Sequence, residues 1–168
     1  MKITVSIGVV FFRGEKFWSH FCRSIAAQTF CDFELLVLEN SSPEINLQKN
    51  LPSDLKKKTK FFRTEENLSF AAAHNFLIKK SRGHFYFCVN QDLIFAKNCL
   101  EILVDFLREN PEAFAAMGEI LRWDFSRNQK TKIVDSHGIK LLPNFKTCDE
   151  NAGKVSDDRK VPREIWGV

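Results

Sequence analysis

The stretch Asn67–Asp92 constrains this chain most, because it combines a helix with a buried strand that ends on a carboxylate. Its first half places Ser69 at a helix N-cap position before apolar residues at helical spacing, and Gly83 is expected to close the helix with a positive φ. Residues 84–89 form a short apolar run rich in aromatics, which is typical of a central strand. The tripeptide Asn90-Gln91-Asp92 follows at the carboxyl end of this strand, where ligands bind in open α/β sheets.

Apolar runs and amphipathic segments alternate along most of the chain. This alternation predicts one α/β domain of Rossmann-like type, with a mostly parallel sheet and helices on both faces in three α/β/α layers. A short helix broken at Pro52 and a basic loop are expected in residues 44–60, and an irregular loop in residues 146–163. Besides the helix before Gly83, the predicted helices cover residues 15–28 and 98–109, and the predicted strands cover residues 3–12, 33–38, 60–63, 84–89, 113–123 and 133–142, the last with a break at His137-Gly138.

Length and charge exclude several classes of protein. The 168 residues suit one domain, and the net charge of +4 is too small to indicate nucleic-acid binding. No apolar run approaches the ~20 residues that span a bilayer. The run Lys56-Lys57-Lys58, with Lys60, predicts a solvated face or, alternatively, a patch for membrane or phosphate.

Cysteine spacing and the known catalytic motifs narrow the choice further. None of the five cysteines has metal-binding spacing, which fits a reduced, cytosolic compartment with Cys88 and Cys99 as buried thiols. No GxGxxG, GxxxxGK[ST] or GxSxG is present, so no sequence motif supports a dehydrogenase, a P-loop protein or a serine hydrolase. Residues 135–137 read Asp-Ser-His, but neighbours in sequence are not expected to form a catalytic triad.

Polar clusters follow three of the predicted strands, at residues 11–14, 39–42 and 90–92, and in a parallel sheet they converge on one edge. With these clusters in place, the chain resembles the family 2 inverting glycosyltransferases, which have the GT-A fold. The segments that carry the resemblance are VSIGVVFFRG, FELLVLENSSPE, ENLSFAAAHN and RGHFYFCVNQD, and DSHGIKLLP is similar to a segment of the rhamnosyltransferase-like branch.

The resemblance implies a nucleotide-diphosphate sugar as the donor. Glu39 stands where the family usually has an Asp that contacts the base or ribose, and Asn40 is expected to shape that turn. The stretch from Asn67 matches the family's loop and helix start near the ribose and diphosphate, with Ser69 in place of the usual Gly. The expected nucleotide-sugar-binding residues are Phe11, Glu39, Asn40, Asn67, Phe70, Ala71, Asn75, Asn90 and Gln91.

The resemblance also implies a divalent metal, Mg²⁺ or Mn²⁺, because the departing nucleoside diphosphate carries negative charge that such a cation neutralises. Asp92 is the expected metal ligand, since residues 90–92 match the position of the family's DxD-type motif. Asn90 replaces the first Asp of that motif and offers a neutral oxygen, as in the rhamnosyltransferase-like branch.

An inverting transfer needs a general base that takes the proton of the acceptor hydroxyl. In the family this carboxylate lies beyond the position that matches Trp166-Gly167, so the chain is expected to be an incomplete form without the acceptor and base part, and Asp149 and Glu150 are not expected to substitute. The expected acceptor is a glycan or a lipid-linked glycan of surface polysaccharide synthesis, at the inner face of the membrane if the enzyme makes peripheral contact.

Two alternatives stay open from the sequence. The first is a non-catalytic module that binds a nucleotide sugar or serves as a partner subunit. The second is a nucleotidyltransferase, which usually has a Gly-rich basic loop after the first strand; Arg13 and Gly14 are the only such residues there.

Overall fold

A computed structural model describes residues 3–40, 46–157 and 162–167. The chain divides into two compact units, Met1–Val104 and Asp105–Val168. The two units are described in turn.

The first unit is built on a parallel sheet of four strands in the order β3-β2-β1-β4. The continuous apolar runs of β1 and β2 are buried because helices cover both faces of the sheet. In chain order the elements are β1 (Val5–Phe11), α1 (Glu15–Ala26), β2 (Phe33–Glu39), a 3₁₀ turn (Leu47–Asn50), α2 (Ser53–Lys58), β3 (Thr59–Arg63), α3 (Phe70–Lys80), β4 (Phe85–Val89) and α4 (Cys99–Glu109), which runs past the unit boundary.

The helices form two separate layers on this sheet. On one face, Trp18 and Phe21 of α1 and Leu100 of α4 pack in the larger core cluster. On the other face, Ala73 and Leu77 of α3 pack on the remaining strand side chains. The predicted α/β fold, with a mostly parallel sheet between helical layers, is confirmed.

Gly83 does not close α3 as predicted. Ser69 caps the start of this helix by accepting a hydrogen bond from the backbone N–H of Ala72, as expected, but the helix ends at Lys80 and the next residue is extended. Gly83 lacks the positive φ that was predicted. A Cβ at this position would lie 2.4 Å from the backbone nitrogen of Ser6, so the glycine serves the close approach of two backbones.

Strand β4 is not central among the described strands. It pairs with β1 and occupies the end of the four-stranded order, where most of its side chains are only half-buried. Cys88, predicted to be a buried thiol, is exposed for the same reason, and Cys99 is partly buried. Aromatic content alone therefore overstated the burial of this strand.

The basic run predicted as a loop is the last turn of α2, which Pro52 precedes as its N-cap residue. Two of its lysines have partners within the first unit. Lys57 Nζ lies 3.6 Å from Asp54 Oδ1, and Lys58 Nζ donates to the carbonyl of Cys31 at 2.6 Å. Among the described residues, only Lys57 of this turn thus has an acidic partner, and that ion pair is exposed to solvent.

The second unit contains two antiparallel strand pairs, β5 (Ile120–Asp124) with β6 (Gln129–Ser136), and β7 (Ile139–Leu141) with β8 (Thr147–Asp149). The predicted break before residue 139 is confirmed, since Gly138 has a φ of 100° between β6 and β7. Strand β8 forms within the segment predicted as irregular, of which residues 158–161 lie outside the described part.

No described helix has both the length and the apolar character needed to cross a bilayer.

Candidate functional site

A cavity of about 450 Å³ lies at the carboxyl edge of the parallel sheet in the first unit. The strand register explains the position, because Phe11 of β1 lies opposite Glu39 of β2, and Glu39 lies opposite Arg63 of β3. Three strand ends therefore meet at one place. The cavity is lined by Phe12, Arg13, Glu39, Asn40, Arg63, Thr64, Glu65, Glu66 and Asn67.

Asn40 holds two walls of this cavity together. Its side chain, in a residue only 8 % exposed, donates to Asn67 Oδ1 and to the carbonyl of Leu68, both at 2.8 Å. Its Oδ1 accepts from the backbone N–H of Leu68 at 2.9 Å, and its own backbone N–H donates to the carbonyl of Phe11. The end of β2 is thereby tied both to β1 and to the loop after β3.

Gln91 makes a similar attachment between the ends of β4 and β1. Its Oε1 accepts from the backbone N–H of Phe12 at 2.8 Å, and its Nε2 donates to the carbonyl of Phe12 at 2.6 Å. Phe12 is followed by Arg13, which has a positive φ of 48°, a backbone conformation that non-glycine residues seldom adopt. Both residues belong to the cavity wall.

The charges around the cavity suit a ligand with both phosphates and hydroxyl groups. Arg13 and Arg63 supply guanidinium groups, which recognise phosphate oxygens through their fixed set of donors. The carboxylates of Glu39, Glu65 and Glu66 accept hydrogen bonds, as the hydroxyls of a ribose require. Phe12 adds an aromatic side chain, 41 % exposed, beside these groups.

Asn90 and Asp92 lie past the end of β4 and are exposed. Within the described residues no group of three or more His, Cys, Asp or Glu side chains is placed to hold a metal ion. Asp92 could supply one carboxylate ligand and Asn90 one amide oxygen. Mg²⁺ is commonly bound by one or two carboxylates together with waters and substrate phosphates, so this donor set fits such a cation.

The predicted site residues fall into three groups. Glu39, Asn40 and Asn67 line the cavity. Phe11 is fully buried in the core, with its ring edge-on to that of Trp18, so only its backbone reaches the strand end. The others are outside the cavity lining: Phe70, Ala71, Asn75, Asn90, Gln91 and Asp92. Nucleotide contact by the first five, and metal binding by Asp92, stay predictions.

The first helical turns of α3 contain one buried titratable residue, His74. His74 is 5 % exposed, and its Nδ1 lies 2.8 Å from the hydroxyl of Tyr86. Burial lowers the pKa of His74, which favours the neutral ring. Phe70, 58 % exposed, places its ring 4.5 Å from the imidazole. This cluster packs α3 onto the sheet.

Sequence reasoning missed the third wall of the cavity. Arg63 ends β3 and residues 64–66 follow it directly; all four are polar, which is the signal that marked the other strand ends. The same rule applied to β3 would have found them. Ser41 and Ser42, part of the second predicted cluster, lie outside the described residues.

The residues of the rejected triad have separate partners in the second unit. Asp135 pairs with Arg122, with 3.3 Å between Oδ1 and Nε, and His137 Nε2 lies 2.6 Å from Glu119 Oε1. Ser136 Oγ accepts from the backbone N–H of Gly138 at 3.0 Å. The prediction that these neighbours form no triad is confirmed.

Solved structures similar to this one include TarS from S. aureus and a mannosyltransferase. A structure of TarS from S. aureus, residues 1–349 with UDP-GlcNAc, aligns with a TM-score of 0.57 at 24 % identity, over 65 % of this chain and 32 % of that one. A mannosyltransferase from Pyrobaculum calidifontis, PcManGT, solved with GDP-Man and Mn²⁺, aligns with a TM-score of 0.54 at 17 % identity, over 64 % of this chain and 33 % of that one. The matched part is thus about a third of each of those proteins, and at this identity it establishes the fold.

The family is established by sequence. No curated protein gives a significant match. The sequence model of the family described as "Glycosyl transferase family 2" matches residues 6–156, which is most of the chain and includes the four strands of the parallel sheet except Val5. With the parallel sheet and the cavity at its carboxyl edge, this match shows that the chain belongs to glycosyl transferase family 2.

Proposed function

We propose that this chain forms the donor-binding part of a glycosyltransferase that moves a sugar from a nucleotide-diphosphate carrier to a glycan or lipid-linked acceptor. The observation that carries the proposal is the cavity formed by three strand ends at the carboxyl edge of the parallel sheet. That edge is the usual ligand site of open α/β sheets. Its mixture of guanidinium and carboxylate groups suits a ligand that has both phosphates and a ribose.

The donor class is supported by the neighbours. TarS was solved with UDP and with UDP-GlcNAc, and the mannosyltransferase with GDP-Man. In this chain the Glu39 carboxylate accepts hydrogen bonds from base or ribose, and Asn67 stands at the phosphate side of the loop. The proposal covers the donor class and assigns neither its base nor its sugar. The segment DSHGIKLLP supports the rhamnosyltransferase-like branch.

Asp92 and Asn90 would hold the divalent cation. A bound Mg²⁺ or Mn²⁺ supplies positive charge that stabilises the leaving diphosphate. Asp92 contributes the single anionic oxygen, so its removal should affect binding that depends on the metal more than binding of the base. The mannosyltransferase crystallised with Mn²⁺ shows that this cation accompanies the fold in at least one neighbour.

We assign no described residue as the general base. Surface polysaccharide synthesis is the process we propose, at the cytoplasmic face of the membrane. The lysines of α2 give limited support for membrane contact, since Lys57 and Lys58 are already engaged within the first unit.

Calorimetric titration with UDP and GDP, each with and without Mn²⁺, tests the proposal. We expect one nucleotide to bind, and Mn²⁺ to raise its affinity at least tenfold. Asp92→Ala should abolish the gain from Mn²⁺, whereas the control Asp54→Ala, at an exposed position of α2, should keep it. A nucleotide affinity that is independent of Mn²⁺ and unchanged in Asp92→Ala would refute metal binding by Asp92. Failure of both UDP and GDP to bind would refute the donor role.

A further inference from the structure

The amide of Gln91 connects two parts of the candidate site that are far apart in sequence. Its two hydrogen bonds to the backbone of Phe12 join positions 79 residues apart. These two hydrogen bonds resemble those between paired strands, with the side-chain amide of Gln91 in the place of a backbone amide. Both polar atoms of Gln91 are therefore directed to the protein backbone.

Gly14 provides the space for this attachment. A Cβ on Gly14 would lie 2.3 Å from both Cδ and Nε2 of Gln91, too close for any real contact. The φ of Gly14 is −114°, which alanine adopts readily, so the need for glycine here comes from the neighbouring amide. The turn and the glutamine side chain thus fit each other.

The attachment fixes the backbone that leads into Arg13. Arg13 has an unfavourable positive φ, and such a conformation persists only where the surroundings hold it. On the amino side of Arg13, Gln91 holds the backbone of Phe12. On the carboxyl side of Arg13, the carbonyl of Gly14 accepts from the N–H groups of Phe17 and Trp18 at the start of α1. The position of Arg13 in the cavity wall therefore depends on Gln91.

Gln91 also lies between Asn90 and Asp92, the proposed metal-binding residues. We propose that Gln91 is a positioning residue, whose amide couples the cavity wall at Phe12 and Arg13 to the turn that holds the cation. The ligands follow from the proposed function, a nucleoside diphosphate and a divalent cation. Occupation of either site then stabilises the backbone that the other one uses, and this coupling acts equally in both directions.

The test compares the full chain with Gln91→Ala, Gly14→Ala and the double variant. Hydrogen exchange of the Phe12 amide, followed by NMR without ligand, should speed up at least tenfold in each variant. The Trp18 amide, which donates to the Gly14 carbonyl, should keep its protection. In calorimetry with the nucleotide that binds, the affinity ratio with and without Mn²⁺ should fall at least fivefold. Gly14→Ala should add nothing once Gln91 is replaced, since both changes remove the same attachment.

Two controls match these variants. Gln48→Ala alters an exposed glutamine of the 3₁₀ turn, and Gly118→Ala places a Cβ where no atom lies within 4 Å. Both should leave the Mn²⁺ ratio unchanged. Unchanged Phe12 exchange in Gln91→Ala would overturn the proposal whatever the nucleotide does. Faster exchange of Phe12 with an unchanged ratio of nucleotide affinities with and without Mn²⁺ would overturn the coupling, but nucleotide binding would still support the donor role. A wild-type chain that binds no nucleotide would overturn both the coupling and the donor role.

Discussion

Replacement of Asn40 by alanine should be among the most informative single changes in the first unit. The side chain makes three hydrogen bonds, two to backbone atoms of Leu68 and one to the side chain of Asn67. Asn40 lines the cavity, so the space that its amide leaves is continuous with that cavity and is not a closed void in the core. The expected loss therefore comes almost wholly from hydrogen bonding in a residue that is 8 % exposed.

The magnitude follows from those contacts. A neutral hydrogen bond contributes about 1 kcal/mol net, so the three bonds together contribute about 3 kcal/mol. Asn67→Ala removes only one of them and should cost about 1 kcal/mol. Asn40→Asp keeps an acceptor for the Leu68 N–H but sets a carboxylate oxygen against the acceptor oxygens of Asn67 and Leu68, so it should cost at least as much as Asn40→Ala. Asn40→Ala should also weaken nucleotide binding, since the loop after β3 loses its attachment to β2.

Urea unfolding followed through the Trp18 indole resonance would measure these losses in the first unit. Trp18 is a suitable probe because its Nε1 donates to the carbonyl of Leu47 within the buried core. The matched control is Asn46→Ala, at an exposed asparagine whose side chain caps nothing, with an expected change within about 0.5 kcal/mol. A loss for Asn40→Ala no larger than that of the control would refute the proposed role of this side chain.

Three further predictions concern the packing of the first unit. Arg82→Ala should cost about 2 kcal/mol in urea unfolding, because it removes two charge-assisted hydrogen bonds from the Glu34 carboxylate, which is only 3 % exposed; a loss below about 0.5 kcal/mol would contradict this. Burial of Glu34 raises its pKa, but the bonds from Arg82 and its neighbours outweigh this and leave the pKa lowered. The stabilisation by the ionised Glu34 is therefore complete above the ordinary glutamate pKa of about 4.3, and it is lost as the pH falls through the lowered folded-state pKa. When the free energy of unfolding is measured against pH, a Glu34→Gln variant should lose less stability over this acid range than the wild type. Gly8→Ala should cost about 1–3 kcal/mol in the same urea assay, because its Cβ would lie 1.9 Å from the hydroxyl oxygen of Tyr86, whereas Gly118→Ala should change little.

The elements of the fold were largely predictable because they depend on local periodicity. Continuous apolar runs predicted β1 and β2, and an apolar stripe at helical spacing predicted α1, each within a few residues of its observed ends. The end of α3 was wrong, since Gly83 is required by the nearby backbone of Ser6 and not by its own φ. A requirement set by a distant segment leaves no periodic signal.

The candidate site was predictable in outline. Parallel strands bring their carboxyl ends to one edge, which predicted the place of Glu39 and Asn40, whereas Asn67 was predicted from the family resemblance; all three line one cavity. The wall after β3 was omitted although it carries the same polar signal. The contacts of Asp92 with a metal and of Phe70 with a nucleotide stay predictions.

The sequence by itself determined the layers, the direction of the strands and the family, because apolar periodicity and ordered motifs are properties of neighbouring residues. Only the tertiary structure decided that β4 lies at the end of the described sheet, and that two amides, Asn40 and Gln91, bind backbone across the strand ends. An asparagine or glutamine can bond to almost any backbone group, and its partner is decided by which segment folding brings within about 3 Å.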